Sequence, residues 1–309
     1  MSSAFVGVLW MSLILKAVLA IAAADLEPRY DERQFLYFAQ EWLQTGSIPK
    51  LWRAPGYQWF MGLGLWFGGG NVLGVRLLQV LVSTGSAFFV YRIGRQQWNE
   101  RVALVAGALV AFYPSQVAFS HLLWSETLYG FFFLVAFERL LAIERDGSLG
   151  TAVMAGLALA AASLTRSTGL GLLVVSVLWI FWRRRGQGGP QLAGTVLLAA
   201  ACAIAPWSIN ASVRAGCPVV VDLNGPFNLW SGNNPYTPAD VQGVWGVGLP
   251  VQNGSNVGLV QFLPDAAWRQ EVPWRMAQQG IPDRFGCAGA RWYQEQALAE
   301  IAGQPAAFV

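Results

Sequence analysis

The sequence predicts an all-α polytopic membrane protein, a bundle with about seven transmembrane helices. Of its 309 residues, 55% are hydrophobic and only 12% are charged. A soluble globular protein carries about 25% charged residues, so this composition indicates that lipid is the main solvent. The net charge of +3 comes from arginines at the ends of apolar runs, with no basic patch suited to nucleic acid.

Seven apolar runs supply the predicted spans. They occupy residues 4–24, 72–91, 102–120, 122–141, 151–165, 167–182 and 191–209. A membrane-crossing helix needs about 20 residues, and all but the fifth and sixth runs approach that length. The first run has no basic residue before it and exceeds the roughly 7–15 residues of a signal-peptide core. We therefore expect it to remain in the protein as an anchor.

Three short arginine-containing loops predict the orientation of these spans. Their arginines are Arg92, Arg95 and Arg101, then Arg139 and Arg145, then Arg183, Arg184 and Arg185. Cytoplasmic loops carry the excess of Lys and Arg, and the three loops share one side only if residues 151–165 and 167–182 form two short helices. The N-terminus is then cytoplasmic. Residues 25–70, residues 120–126, Arg166 and everything after about residue 210 face outward.

The first outer loop predicts two helices that lie on the bilayer surface. Residues 32–45 carry an apolar stripe at helical spacing, with Asp31 at the N-cap position and Gly46 at the end; the stripe comprises Phe35, Leu36, Phe38, Ala39, Trp42 and Leu43. The apolar segment 57–70 is too short to span.

We accordingly divide the chain into a transmembrane module at 1–215 and an extracytoplasmic region at 216–309. The second region is rich in Gly, Pro, Asn and Trp. Residues 289–303 are predicted to form a helix.

Asp31 and Glu32 are the first candidates for chemistry. Charged carboxylates cannot enter hydrocarbon cheaply, so their presence directly beside a membrane exit indicates a function. Such a group can take a proton from an acceptor hydroxyl or bind a metal. The alternative is that Asp31 only caps the following helix, which contributes about 1 kcal/mol.

Arg53 and Arg166 are candidates for binding an anion such as phosphate, because a guanidinium offers forked donors and stays charged. Arg53 has the alternative of anchoring to lipid headgroups. Arg166 joins two short helices and is predicted to be recessed, so it needs a partner: Glu126 or an anionic ligand. Glu126 has its own structural alternative, in which Ser125 caps the fourth span and Glu126 favours the positive end of that helix.

Three other features leave alternatives open. His121 is the only histidine, and a lone histidine is a weak metal ligand. Cys217 and Cys287 can pair in an oxidising compartment, or they are unrelated thiols. Lys16, inside the first run, either reaches the membrane surface or faces the interior of the bundle.

Five segments resemble the GT-C membrane glycosyltransferases, above all the dolichyl-phosphate-mannose–protein mannosyltransferases and the aminoarabinose lipid A transferases. In that family an acidic motif opens an amphipathic helix after the first span, and a basic-Pro-Pro turn follows. The matching segments are 31–39, 53–57, 125–126, 165–166 and 232–235. The turn departs from the family pattern, because Ala54 replaces the first proline. Family members usually continue with several more spans, so the resemblance implies that the chain is truncated before them, after the predicted helix at 289–303.

The resemblance implies an inverting transferase that moves a sugar from a polyprenyl-phosphate-linked donor to an envelope lipid, glycan or protein. The reaction would take place on the extracytoplasmic face of a membrane, which the composition suggests is the bacterial inner membrane. The implied roles are as follows: Asp31 as general base; Glu32 and Glu126 as acidic partners; Arg53 and Arg166 on the lipid phosphate; Tyr37 and Asn233 on substrate; and a divalent metal, if one is used, at Asp31, Glu126 and His121. The alternatives are a transporter or flippase, and an inactive truncated member of the family.

Overall fold

The computed structural model describes residues 1–29, 31–234 and 267–303, without the side chains of 267–270. Every regular element in these residues is a helix. The helices are α1 (Ser3–Ala22), α2 (Asp31–Thr45), α3 (Pro55–Phe67), α4 (Val72–Gln97), α5 (Glu100–Phe112), α6 (Pro114–Phe119), α7 (Glu126–Asp146), α8 (Leu149–Thr165), α9 (Thr168–Arg183), α10 (Gly189–Ala215), α11 (Gly225–Gly232), α12 (Ala267–Gln278) and α13 (Cys287–Gly303). The predicted all-α class is confirmed.

Three described helices, α1, α4 and α10, are long and apolar enough to cross a membrane, and α8 and α9 are apolar but shorter. Arg166, between α8 and α9, has an extended backbone with φ −148° and ψ 130°. The predicted separation of this region into two short helices is therefore confirmed. The protein is a polytopic integral membrane protein, and it is all-α in the residues that the structure describes.

The third predicted run, 102–120, is not one helix. It divides into α5 and α6 at Tyr113, whose backbone is extended with φ −59° and ψ 126°. Pro114 causes the break, because proline has no amide hydrogen and disfavours a helical conformation at the residue before it. The fourth run is also shifted along the chain, since α7 begins at Glu126 and continues to Asp146.

The chain forms two compact units, Met1–Lys50 with Ala54–Ala211, and Leu51–Arg53 with Ser212–Val309. In the first unit, α4 packs against α1, α3, α5 and α7. Lys16 of α1 is fully buried, and its Nζ donates to Ser83 Oγ of α4 at 2.8 Å. Of the two alternatives for Lys16, the structure supports the one that faces the bundle interior.

The two predicted surface helices are α2 and α3. Phe35, Phe38 and Ala39 of α2 are buried as the stripe predicts, but Leu43 is 42% exposed. Gly46 ends α2 in a left-handed conformation with φ +70°, which glycine adopts without strain. Asp31 is the first residue of α2 rather than the N-cap residue before it. Its acidic side chain still favours the positive end of the helix.

The second unit has an aromatic core. Trp230, Trp292 and Tyr293 are its largest buried members. Trp52 packs edge-on against Phe227 and Phe285, with ring centroids 5.1 and 4.4 Å away. The chain entering this unit is also held by its backbone, because Leu223 N donates to Leu51 O at 2.9 Å.

A disulfide joins Cys217 to Cys287 at the beginning of α13, with the Cα atoms 6.4 Å apart. The structure thus supports pairing of these two cysteines, and Cys202 is a free cysteine. The disulfide closes a loop with a sequence separation of 70 residues. A crosslink over a loop of that length removes considerable freedom from the unfolded chain.

Candidate active site

Three parts of the first unit meet at one end of its helices: the beginning of α2, the α6–α7 corner (residues 119–125) and the joint between α8 and α9. Glu32 contacts the corner, since its Oε1 accepts a hydrogen bond from Leu123 N at 2.7 Å. Arg166, at the joint, contacts the beginning of α7. The start of α3 also lies here, because a Cβ added to Gly56 would be 2.8 Å from Leu164 O.

Glu32 is the buried carboxylate of this region, with 7% exposure. Its second oxygen, Oε2, accepts from Arg29 N at 2.8 Å. Both oxygens therefore accept hydrogen bonds from backbone amides, which are strong because the acceptor is charged. Glu32 ties the beginning of α2 to the α6–α7 corner.

Asp31 precedes Glu32 and is half-buried. Consecutive residues of an α-helix project about 100° apart, so the two carboxylates point in different directions. Of these two acids, Asp31 retains the greater access to solvent, and to any acceptor molecule that arrives there.

Glu126 and Arg166 form an ion pair, with Arg166 Nη1 2.5 Å from Glu126 Oε1. The same Nη1 donates to Ser125 Oγ at 3.0 Å. Glu126 was one of the two partners that the sequence allowed for Arg166, and the structure provides it. Ser125 occupies the N-cap position of α7, but its side chain makes no capping bond, so the structure does not support the alternative in which this side chain caps the helix. Its hydroxyl oxygen accepts the hydrogen bond from Arg166 instead.

Arg76 and Gln79 complete the site, and the sequence analysis missed both. Arg76 is 3% exposed and donates to four backbone carbonyls: Ala23, Ala24 at 3.1 Å, Leu26 at 3.0 Å and His121 at 3.3 Å. The two residues lie three apart on α4 and so share one face. A detectable signal existed, because an arginine inside an apolar run is costly unless it is partnered.

Gln79 is fully buried and makes three hydrogen bonds. Its Nε2 donates to Phe119 O at 2.9 Å and to Leu122 O at 2.5 Å. Its Oε1 accepts from the Tyr57 hydroxyl at 2.5 Å. Burial, and then the negative charges of Glu32 and Glu126, raise the pKa of Tyr57 well above its ordinary value. Tyr57 consequently remains a neutral phenol that donates to Gln79.

His121 is half-buried in the corner. Its Nδ1 is buried without a hydrogen-bond partner among the described residues, and its Nε2 lies 3.4 Å from Ser120 Oγ. Burial, and then the positive charges of Arg76 and Lys16, lower its pKa from the ordinary value of 6.5. The neutral imidazole is thus the favoured form.

The described parts of the chain contain no group of three His, Cys, Asp or Glu side chains that could hold a metal ion. The suggested metal set of Asp31, Glu126 and His121 is therefore not assembled as a three-ligand site.

Tyr37 lies on the outer side of α2 and is 52% exposed. It lines a shallow groove of about 260 Å³ together with Glu27, Pro28, Arg33, Leu36 and Gln40.

Arg53 and Asn233 belong to the second unit. Arg53 is half-buried. Asn233 Nδ2 donates to Leu229 O at 2.7 Å, and Asn234 Nδ2 donates to Trp230 O at 2.8 Å, so these two asparagines close the end of α11. Pro235, the last residue of the segment that resembles the family, lies outside the described residues.

The fold and this site define a polytopic helical membrane protein with a polar cluster at one end of its helices. The family model of dolichyl-phosphate-mannose-protein mannosyltransferases matches residues 52–209, just over half of the chain. The chain belongs to that family, and the protein is a GT-C-type membrane glycosyltransferase. The matched range contains Glu126 and Arg166 and begins after Asp31. A comparison with curated proteins gives no match.

Proposed function

We propose that the protein transfers a sugar from a polyprenyl-phosphate-linked donor to a hydroxyl group of an envelope lipid, glycan or protein, with inversion at the anomeric carbon. Asp31 is the general base. Arg166 and Arg53 bind the phosphate of the lipid carrier, and Glu126 orients Arg166. Tyr37 and Asn233 are further substrate contacts.

The chemistry is a single displacement. The Asp31 carboxylate takes the proton of the acceptor hydroxyl while the oxygen of that hydroxyl forms a bond to the anomeric carbon. The bond between that carbon and the phosphate oxygen breaks, and the lipid phosphate leaves with the bonding electrons. Attack from the face opposite the leaving group inverts the anomeric configuration. Cationic donors stabilise the charge that develops on the departing phosphate.

The connection of the acidic start of α2 with the Glu126–Arg166 pair is the observation that carries this proposal. Glu32 holds Leu123 N at 2.7 Å, only three residues before Glu126. The proposed base and the proposed phosphate ligand therefore belong to two elements fixed to the same corner. A reaction of this kind requires a base for one substrate and a cation for the other.

We propose the extracytoplasmic face as the location of the reaction, in a bacterial inner membrane. The Cys217–Cys287 disulfide supports an oxidising compartment for the second unit. The arginine-containing loops, at residues 92–101, 139–145 and 183–185, are on the cytoplasmic side under the positive-inside rule.

The proposal is tested by Asp31→Asn in membranes that contain the whole chain. Transfer of radiolabelled sugar from polyprenyl-phosphate donors, beginning with polyprenyl-phosphate-mannose, is expected to fall at least a hundredfold, because the amide cannot accept the proton. Asp25→Asn is the matched control, since Asp25 is an exposed acid in the same outer segment. Transfer that survives Asp31→Asn unchanged would remove Asp31 as the base.

A transporter is the second candidate, and one observation favours it: the charged side chain of Lys16 is fully buried inside a spanning helix against Ser83. Ionisable residues within spans often belong to ion or substrate pathways. Solute uptake that is lost with Lys16→Met, while sugar transfer from the lipid donor is absent in the unmodified protein, would favour this reading.

A further inference from the structure

The α6–α7 corner is held by side chains from other elements. Four of its backbone groups are engaged in this way: Phe119 O and Leu122 O by Gln79, His121 O by Arg76, and Leu123 N by Glu32. The three side chains are all less than 9% exposed. Buried backbone groups need hydrogen-bond partners, and three polar side chains supply them here.

This arrangement lies immediately before the first residue of α7. The chain does not continue helically through the corner, so α7 starts at Glu126, with Ser125 just before it. These two residues supply the oxygen atoms that hold Arg166 Nη1, at 2.5 and 3.0 Å. A shift of the corner would therefore change the position of both partners of Arg166.

We propose that Gln79 and Arg76, together with Glu32, are positioning residues that set the orientation of the Arg166 guanidinium by fixing the corner. The proposal rests on the proposed function, in which Arg166 binds the lipid phosphate. It gives Glu32 a role distinct from that of an acidic partner in the reaction, because both of its oxygens already accept amide hydrogens.

Gln79 is the residue at which this role is best tested. Gln79→Met keeps a side chain of similar length and removes both donors to the corner. Gln96→Met is the matched control on the same helix. Gln96 also donates from Nε2, to Glu138 Oε1 at 2.6 Å, but it lies 17 positions further on, about 25 Å along α4.

We expect kcat/KM for sugar transfer from polyprenyl-phosphate-mannose to fall about 10- to 100-fold in Gln79→Met, because small displacements of substrate-holding groups have effects of that size. Gln96→Met should stay within about threefold of the unmodified protein. Hydrogen–deuterium exchange should quicken at residues 119–125 only in Gln79→Met. Equal losses of activity in the two variants, or unchanged exchange in the corner, would overturn the positioning role.

A double-mutant cycle separates positioning from general stability. If Gln79 acts through the Glu126–Arg166 pair, Gln79→Met should reduce turnover by less than threefold in a protein that already carries Glu126→Gln. Independent, multiplicative losses would overturn the proposal. If Gln79→Met does not accumulate, Tyr57→Phe takes its place, because it removes only the phenol donor to Gln79. This variant should lower kcat/KM about three- to tenfold in the same assays. Unchanged kcat/KM would count against the proposal.

The cycle also distinguishes this inference from the proposed function. Unchanged transfer in Glu126→Gln alone would overturn the role of Glu126 in the proposed function, whatever the behaviour of Gln79. Impaired transfer in Glu126→Gln, with normal transfer and normal corner exchange in Gln79→Met, would overturn the positioning role only.

Discussion

Glu32→Gln tests whether the second acid of the α2 motif holds the structure together or takes part in the chemistry. The substitution keeps the size and shape of the side chain and removes its charge. A glutamine has one carbonyl oxygen, so it can accept from Leu123 N or from Arg29 N, whereas Glu32 accepts from both. Its amide nitrogen would then face the other N–H group, which is a donor as well.

The expected cost follows from that geometry. A hydrogen bond to a charged group contributes about 1.5–3 kcal/mol, and a buried donor left without a partner costs about 1–3 kcal/mol. With Glu32 only 7% exposed, a loss of about 2 kcal/mol is expected. For a domain of roughly 200 residues, each kcal/mol shifts Tm by about 2–4 °C, so Tm should fall by about 4–8 °C.

The assay compares thermal unfolding and sugar transfer in the same detergent-solubilised preparations. Glu27→Gln is the matched control, because Glu27 is 85% exposed in its side chain and its ion pair with Arg33 has a separation of 3.6 Å. Exposed pairs of that kind contribute little, so Tm should hardly change. A Glu32→Gln protein with unchanged Tm and no transfer would refute the reasoning and make Glu32 part of the reaction.

Two further predictions concern Arg166 and His121. Arg166→Lys keeps the charge but loses the forked donors, so the KM for the polyprenyl-phosphate donor should rise about tenfold. Arg183→Lys, at the other end of α9, should leave this KM unchanged. Equal KM values in the two variants would contradict the phosphate role of Arg166. The folded-state pKa of His121 lies below its unfolded value of 6.5, so the unfolded chain binds the proton first and stability falls as pH decreases below about 6.5. Since His121 is the only histidine, His121→Asn should reduce the fall in Tm between pH 7.5 and 5.5, and an unchanged fall would contradict this.

The fold was largely predictable because lipid imposes a simple pattern on the sequence. Long apolar runs must become helices, since the backbone has no other partners in hydrocarbon. The positions of the arginine-containing loops even predicted that α8 and α9 are separate helices that meet at Arg166. The break at Pro114 was missed because the apolar run continues through it. Proline is a strong local signal for a helix boundary, and it should have outweighed the hydropathy.

The site was predictable in part. The outer-face reasoning selected Glu126 and Arg166, and these two residues do form an ion pair. The roles of Asp31, Arg53, Tyr37 and Asn233 stay predictions. Gln79 gave no signal of its own, because a single polar residue in an apolar run does not reveal which distant backbone groups it will meet. Hydrogen bonds from a helix to a corner 40 residues away depend on tertiary packing, which periodicity does not encode.

Asp31 and Glu32 can have different roles, one in the chemistry and the other in the structure, because consecutive residues of a helix project in different directions. Glu32 points into the first unit, where one of its oxygens accepts from the amide of Arg29 and the other from the amide of Leu123. With only 7% of the residue exposed, this carboxylate offers little access to a substrate hydroxyl. Asp31 keeps partial access to solvent while sharing the backbone that Glu32 immobilises. The rigidity needed to aim a base and the accessibility needed to use it are thus supplied by two neighbouring residues. We therefore expect Asp31→Asn to lower transfer at least a hundredfold and Glu32→Gln to lower Tm.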